Sequence, residues 1–216
     1  MDKKDIKLII FDMDGVVLNS EPLHEIARQA MYRNMGIVKT ENFPEPVGTS
    51  ALGFWREVLE QFGLSGDPLA LQQEQYQRVE DQIRENSVGP SEGLVDVMTW
   101  AHGHGIRIGL ASSSTQPMVD HVLELLHVKD LFDYVVTGDQ VTRRKPDPEI
   151  YCRVMELAGE KPEAVVAVED TAPGIAAARA AGIFCFGYDN ETSGPQDLSG
   201  ASRVIRHLRE VMDWEQ

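Results

Sequence analysis

The apolar run Leu8-Ile9-Ile10-Phe11 ends abruptly on Asp12-Met13-Asp14-Gly15, with Val16-Val17 following. A short, unbroken apolar run stopped by a turn residue reads as a strand buried on both faces, the kind found in parallel sheets. In open α/β sheets ligands bind outside the carboxyl ends of the strands, which puts Asp12 and Asp14 at the rim where chemistry is done. Alternation along an extended chain turns both carboxylates to one side and Met13 to the other. Two like charges so close require a cation or a shared proton. A divalent metal is the expected solution.

The rest of the chain repeats this pattern. Ile106–Ala111, Tyr134–Thr137, Val165–Val168 and Ile183–Phe186 read as strands, with a weak sixth near Arg203–Ile205. Gly93–His104, Met118–Leu126, Pro148–Ala158 and Ala172–Ala181 read as the intervening helices, and a last helix closes the chain. Strands alternating with helices predict a doubly wound, Rossmann-like parallel sheet. Residues 18–87 break the alternation, because no credible strand occurs there. Ser20 is the expected N-cap of a first helix with Pro22 in its opening turn, and Phe54–Leu59 and Leu71–Ile83 read as two more. Phe43, Phe54 and Trp55 are expected to form the core of this part. The predicted organisation is therefore an α/β core of residues 1–17 and 88–216 interrupted by an all-helical cap of residues 18–87.

A length of 216 residues accommodates one sizeable core and a smaller unit. The formal net charge of -15 argues against nucleic acid or an anionic membrane as partner. It leaves room for a small anionic substrate, since a metal and a few placed cations invert the local field. Cys152 and Cys185 lack metal-ligand spacing and are expected to be buried free thiols. The opening Met1-Asp2-Lys3-Lys4-Asp5 leads into only a short apolar run, and no stretch reaches the ~18 apolar residues of a membrane span. A cytoplasmic monomer is expected.

Four polar groups sit at or beyond predicted strand ends: Asp12 with Asp14, Ser112-Ser113-Ser114, Lys145 within Arg143-Arg144-Lys145-Pro146-Asp147-Pro148, and Glu169-Asp170. Parallel strands gather such residues on one edge. Taken singly, each has a plain explanation: a helix-capping serine run, a solvated lysine, an acidic helix start. A calcium loop fails for Asp12-Met13-Asp14-Gly15, because Val16 occupies the next ligand position and no glutamate closes the loop. Together they compose a magnesium and phosphate site. Asp12 and Asp170 offer the hard oxygens Mg²⁺ prefers, Ser112 a hydroxyl and Lys145 a compact cation for phosphoryl oxygens. An ordinary aspartate, with a pKa near ~3.9, is already ionised at neutral pH.

In this order, D-x-D-G, a strand ending in Ser, K-P-D-P and E-D resemble the haloacid dehalogenase superfamily of phosphohydrolases. With helices inserted after the first motif, the chain is most similar to the subfamily containing β-phosphoglucomutase and sugar-phosphate phosphatases. The resemblance implies Asp12 as nucleophile, forming an aspartyl-phosphate, and Asp14 as the acid and base that protonates the leaving alkoxide and deprotonates water. It implies Mg²⁺ held by Asp12, the backbone carbonyl of Asp14 and Asp170, with Glu169 as a direct ligand or one step behind. Ser112, Ser113 and Lys145 would bind the phosphoryl group, and Gly48, Thr49, Ser114 and His24 would face the substrate or belong to the cap. Closure of the cap on hinges near Val16–Ser20 and Asn86–Gly89 is expected to exclude water.

Where the mutases carry an arginine in the cap loop, Val47-Gly48-Thr49-Ser50-Ala51 ends on Ala51, and Asn19 replaces an acid common in its turn. Both departures favour a phosphatase acting on a small phosphorylated metabolite, with a sugar phosphate expected. A β-phosphoglucomutase-type enzyme, with Arg28, Arg33 or Arg56 supplying the missing cation, is the alternative. Lys39, the single lysine between Leu18 and Ser87, has no activating neighbour in sequence for Schiff-base chemistry. A non-catalytic scaffold would have no use for Asp12 and Asp14 together.

Overall fold

The computed structural model of the chain describes residues 6–40, 43–44 and 50–213. The chain divides into two compact units, Met1–Asn19 with Gly89–Gln216, and Ser20–Val88. The order begins with β1 (Leu8–Phe11), α1 (Glu21–Met35), α2 (Ala51–Gln61) and α3 (Pro68–Glu85). It continues with α4 (Leu94–Gly103), β2 (Arg107–Ala111), α5 (Gln116–Leu125), β3 (Tyr134–Val136) and α6 (Glu149–Ala158). β4 (Val165–Glu169), α7 (Ala172–Ala180), β5 (Phe184–Tyr188) and β6 (Arg203–Ile205) complete it.

In the first unit the six strands form one parallel sheet in the order β3-β2-β1-β4-β5-β6. β1 lies at its centre, with every residue from Leu8 to Phe11 at most 1% exposed. Because both faces are apolar, alternation does not set its register. The carboxylate at its end does: slipping by one residue would draw Asp12 into the apolar layer at a cost of several kcal/mol. Phe11 pairs with Leu110 of β2 and Val168 of β4, so the next residue falls beside the ends of both. Strand order reverses between β1 and β4. That is the topological switch point at which open α/β sheets bind their ligands.

The helices against the sheet follow their sequence. α6 buries Ile150, Tyr151, Val154, Met155 and Ala158, an i, i+1, i+4, i+5, i+8 stripe, and stops at Gly159 in the left-handed conformation. α7 starts at Thr171, whose side chain accepts from Gly174 N, and its small residues bring it close to the sheet.

In the second unit, α1, α2 and α3 pack around Met31, Tyr32, Ile37, Phe54, Trp55 and Val58, with Phe43 alongside. Phe54 and Trp55 are core, as the sequence predicts, while Phe43 is partly buried against them. Trp55 Nε1 donates to Gln75 Oε1 (2.7 Å), and the other end of that amide meets His24 Nδ1 (2.8 Å). The indole N–H can only donate, so the amide is oriented with its NH₂ towards His24.

Some expectations are corrected. Ser20 stands at the N-cap of α1 but makes no capping hydrogen bond, because its backbone is already helical (φ −88°, ψ −23°) rather than extended. The final helix is a five-residue 3₁₀ turn, Leu208–Met212, closed by a capping box between His207 and Glu210. Of the two thiols only Cys185 is buried; Cys152 is exposed, since it lies off the apolar stripe of α6. Among the described residues no helix is long and apolar enough to cross a membrane.

Candidate active site

The carboxyl edge of the sheet concentrates charge. Asp12 follows β1, with its backbone N–H on Val168 O (3.0 Å). Lys145, from the loop between β3 and α6, sends its ammonium between two carboxylates. Nζ lies 2.6 Å from Asp12 Oδ1 and 2.6 Å from Glu169 Oε1, and also donates to Ala111 O at the end of β2 (2.9 Å). The lysine therefore spans three neighbouring strands.

Glu169 is fully buried and well supplied with donors. Oε1 accepts from Lys145 and from Tyr151 Oη (2.8 Å), while Oε2 accepts from Thr171 Oγ1 (3.1 Å) and from the Asp170 and Thr171 amides. A β-carbon on Gly174 would lie 1.9 Å from Glu169 Oε1, so only glycine lets α7 begin this close. Asp170 differs. Ser193 Oγ donates to its Oδ2 (2.5 Å), whereas its buried Oδ1 has no hydrogen-bond partner among the described residues. Asp12, Glu169 and Asp170 each place a carboxylate oxygen within 4.8 Å of the others. Three converging hard oxygens and one orphaned, buried lone-pair donor fit a divalent cation such as Mg²⁺.

The electrostatics point the same way. Burial pushes the Asp12 carboxyl well above the usual carboxylate range; Lys145 opposes this, and Glu169, Asp170 and Asp14 add to it. Burial, then Glu169 and Asp14, push Asp170 up to about 7 against the pull of Ser193 and Lys145. Lys145 is also desolvated, but the Asp12 and Glu169 charges prevail and hold its ammonium well above the ordinary value. The sequence-based expectation of an ordinary Asp12 is thus corrected. One ammonium does not balance this many buried carboxylates, and the missing positive charge is what a divalent ion supplies.

The other expected residues separate into groups. Asp14 is outside the three-carboxylate cluster; its Oδ2 accepts from Ser114 Oγ (3.2 Å). Ser114, expected to face substrate or cap, belongs to the α/β unit and donates to Asp14. Ser112 is fully buried and its Oγ accepts from Ser114 N (3.1 Å), which fixes the turn leading into α5. Ser113 is exposed, with its carbonyl accepting from Arg144 Nη1 (3.3 Å). His24 lies in the helical unit, bonded to Gln75. Gly48 and Thr49 lie outside the described residues. Sequence reasoning missed Tyr151, Thr171, Asn190 and Ser193. Tyr151 lies six residues after Lys145 on the inward stripe of α6, a helical register that could have exposed it. Asn190 and Ser193 carry no such signal.

An open parallel sheet with this charge cluster at its switch point places the chain among the α/β enzymes that work at the carboxyl ends of their strands. Comparison with known proteins sharpens that class. The haloacid dehalogenase-like hydrolase profile matches residues 6–182. The phosphorylated carbohydrates phosphatase of Thermotoga maritima is 33% identical over 185 residues, covering 82% of each chain. The CbbY protein of Rhodobacter capsulatus is 28% identical over 215 residues, covering 94% of each. The crystal structure of CbbY from Rhodobacter sphaeroides in complex with phosphate superposes with a TM-score of 0.83 at 25% identity, covering 95% of this chain and 96% of that one. The chain belongs to the haloacid dehalogenase-like hydrolase family and is a phosphoric monoester hydrolase by class.

Proposed function

We propose that the chain is a Mg²⁺-dependent phosphatase that hydrolyses a small phosphorylated metabolite, with phosphorylated carbohydrates the first class to test, through an aspartyl-phosphate on Asp12. The observation that carries this reading is the ammonium of Lys145 at 2.6 Å from Asp12 Oδ1, beside the orphaned Oδ1 of Asp170. A carboxylate nucleophile, a cation for phosphoryl oxygens and an unpartnered carboxylate oxygen suited to a metal meet at one strand edge. The relative from Thermotoga maritima, described as a phosphatase of phosphorylated carbohydrates, supports the substrate class.

In this reading the Asp12 carboxylate attacks phosphorus while the ester oxygen leaves as an alkoxide, which takes a proton from Asp14. Asp14 then removes a proton from water, whose oxygen attacks the same phosphorus, releasing inorganic phosphate and regenerating Asp12. The Ser114 hydroxyl, 3.2 Å from Asp14 Oδ2, orients that acid and base. Lys145 binds phosphoryl oxygens as phosphorus passes from tetrahedral through a trigonal-bipyramidal transition state, and Glu169 and Tyr151 hold the lysine in place. Asp12, Asp170 and the backbone carbonyl of Asp14, with Glu169 beside them, would hold Mg²⁺, which when bound neutralises the carboxylate cluster and the phosphoryl charge.

Two residues of the helical unit, Ala51 and Arg28, support hydrolysis over phosphoryl return, while Arg33 and Arg56 are exposed. Ala51 opens α2 with a methyl group, and Arg28 is 3% exposed and held by Glu21 and by Glu25 Oε2 (3.0 Å). Neither offers a spare guanidinium for a second phosphate. A panel of phosphate monoesters assayed with Mg²⁺ tests the proposal. The expected result is release of inorganic phosphate, abolished in Asp12→Asn; turnover undiminished in that variant would overturn the nucleophile.

A further inference from the structure

The fold treats the two oxygens of Asp170 unequally. Oδ2 accepts a 2.5 Å hydrogen bond from Ser193 Oγ, and Oδ1 is buried without one. Ser193 is only 6% exposed and ends a short 3₁₀ turn, Glu191–Ser193, after β5. The same turn also holds Gly15, next to Asp14. Asn190 Nδ2 donates to the carbonyl of Gly15 (2.8 Å), while Asn190 Oδ1 accepts from Thr192 N (3.1 Å) and Thr192 Oγ1 (2.9 Å). Beyond it, Gln196 Nε2 holds Ser193 O (3.2 Å). Gly15, Asp170 and Ser193 are in close contact: a β-carbon on Gly15 would lie 1.8 Å from Asp170 Oδ2 and 2.9 Å from Ser193 Oγ.

We infer that Ser193 is a positioning residue for the divalent cation: it engages Oδ2 of Asp170 so that Oδ1 is the oxygen offered to the metal, with Asn190 setting the turn that carries it. The inference deepens the reading of this edge as a metal-dependent phosphatase site and rests on it. An aspartate free to rotate loses side-chain freedom when it binds a metal, and a hydrogen bond that orders it beforehand removes that loss. Outer partners of metal-binding groups typically account for about 10- to 100-fold in affinity. A hydroxyl that only filled space would instead register in stability and leave affinity alone.

The test measures Mn²⁺ binding to the full chain, by the electron paramagnetic resonance signal of free Mn²⁺, in wild type and Ser193→Ala. The expected outcome is binding weakened at least about tenfold, while the melting temperature in chelator changes by no more than about 3 °C. The Mg²⁺ concentration for half-maximal phosphatase activity should rise in step, with kcat at saturating Mg²⁺ retained. Should Ser193→Ala not fold, Ser193→Cys replaces it, keeping the shape while weakening the donor. A variant that folds and binds Mn²⁺ as tightly as wild type would overturn the inference and leave the phosphatase reading standing. A wild-type chain that binds no Mn²⁺ would overturn both.

Discussion

Lys145 Nζ and Asp12 Oδ1 lie 2.6 Å apart although 133 residues separate them in the chain. The contact joins the end of β1 to the loop before α6, and Glu169, at the same distance from Nζ, ties in β4. One buried cation thereby organises the residues proposed to attack and to bind phosphorus.

Removing that cation should cost both activity and stability. Lys145→Met leaves Asp12 and Glu169 buried and unpaired, and breaking such a pair costs about 3–5 kcal/mol. The loss should be smaller at pH 5 than at pH 8, since protonation of Asp12 relieves the unpaired charge. Urea unfolding at the two pH values checks this, and kcat should fall by at least about 100-fold.

Gly15 adopts φ +82°, and any β-carbon there would overlap Asp170 Oδ2. Gly15→Ala is therefore expected to displace Asp170 and lower kcat/KM by about 100-fold or more, as misplacement of the order of 1 Å does. Steady-state kinetics at several Mg²⁺ concentrations should show loss of metal dependence alongside loss of rate.

Without metal, the protein should lose stability as pH rises. The folded-state pKa of Asp170, up to about 7, exceeds its ordinary value of 3.8, so the folded chain holds the proton more tightly than the unfolded chain. The stabilisation is fully present below about 3.8 and is lost as pH climbs through about 7; Asp12, shifted in the same direction, adds to it. Melting curves in chelator should decline from pH 4 to 8, and Mg²⁺ should raise the melting temperature more at pH 8 than at pH 5. Parallel curves would contradict the assignment of these carboxylates to the metal.

Glu149 has the opposite sign. Hydrogen bonds from Thr142 N and Oγ1, then from Arg143, hold its carboxyl down at about 2, against an ordinary 4.5. Its contribution is present above about 4.5 and disappears as pH falls towards about 2. Glu149→Gln should therefore flatten the acid limb of the stability profile, measured by urea midpoints between pH 2.5 and 5.

In the helical unit, Gln75→Met would leave Trp55 Nε1 and His24 Nδ1 without the amide that now joins them. An unsatisfied buried polar group costs about 1–3 kcal/mol. Chemical denaturation should register a loss in that range, together with a change in Trp55 fluorescence.

Much of this protein is written locally. The apolar runs that become β1, β2, β4 and β5 announce themselves, because a strand buried on both faces needs no partner pattern to be recognised. The carboxylates at their ends follow, since parallel strands bring their carboxyl ends to one edge whatever the details of packing. Asp12, Ser112, Lys145, Glu169 and Asp170 were legible for that reason. The tertiary structure alone decided how they are held: the Tyr151 hydroxyl on Glu169, Asn190 on Gly15, Ser193 on Asp170, and Ser114 on Asp14. It also decided the titration of Asp12, which depends on desolvation and on charges brought from other strands. Tyrosines, serines and asparagines occur throughout any chain without a period or motif to mark them. Their roles here depend on distances between strand ends and loops that exist only once the sheet has formed.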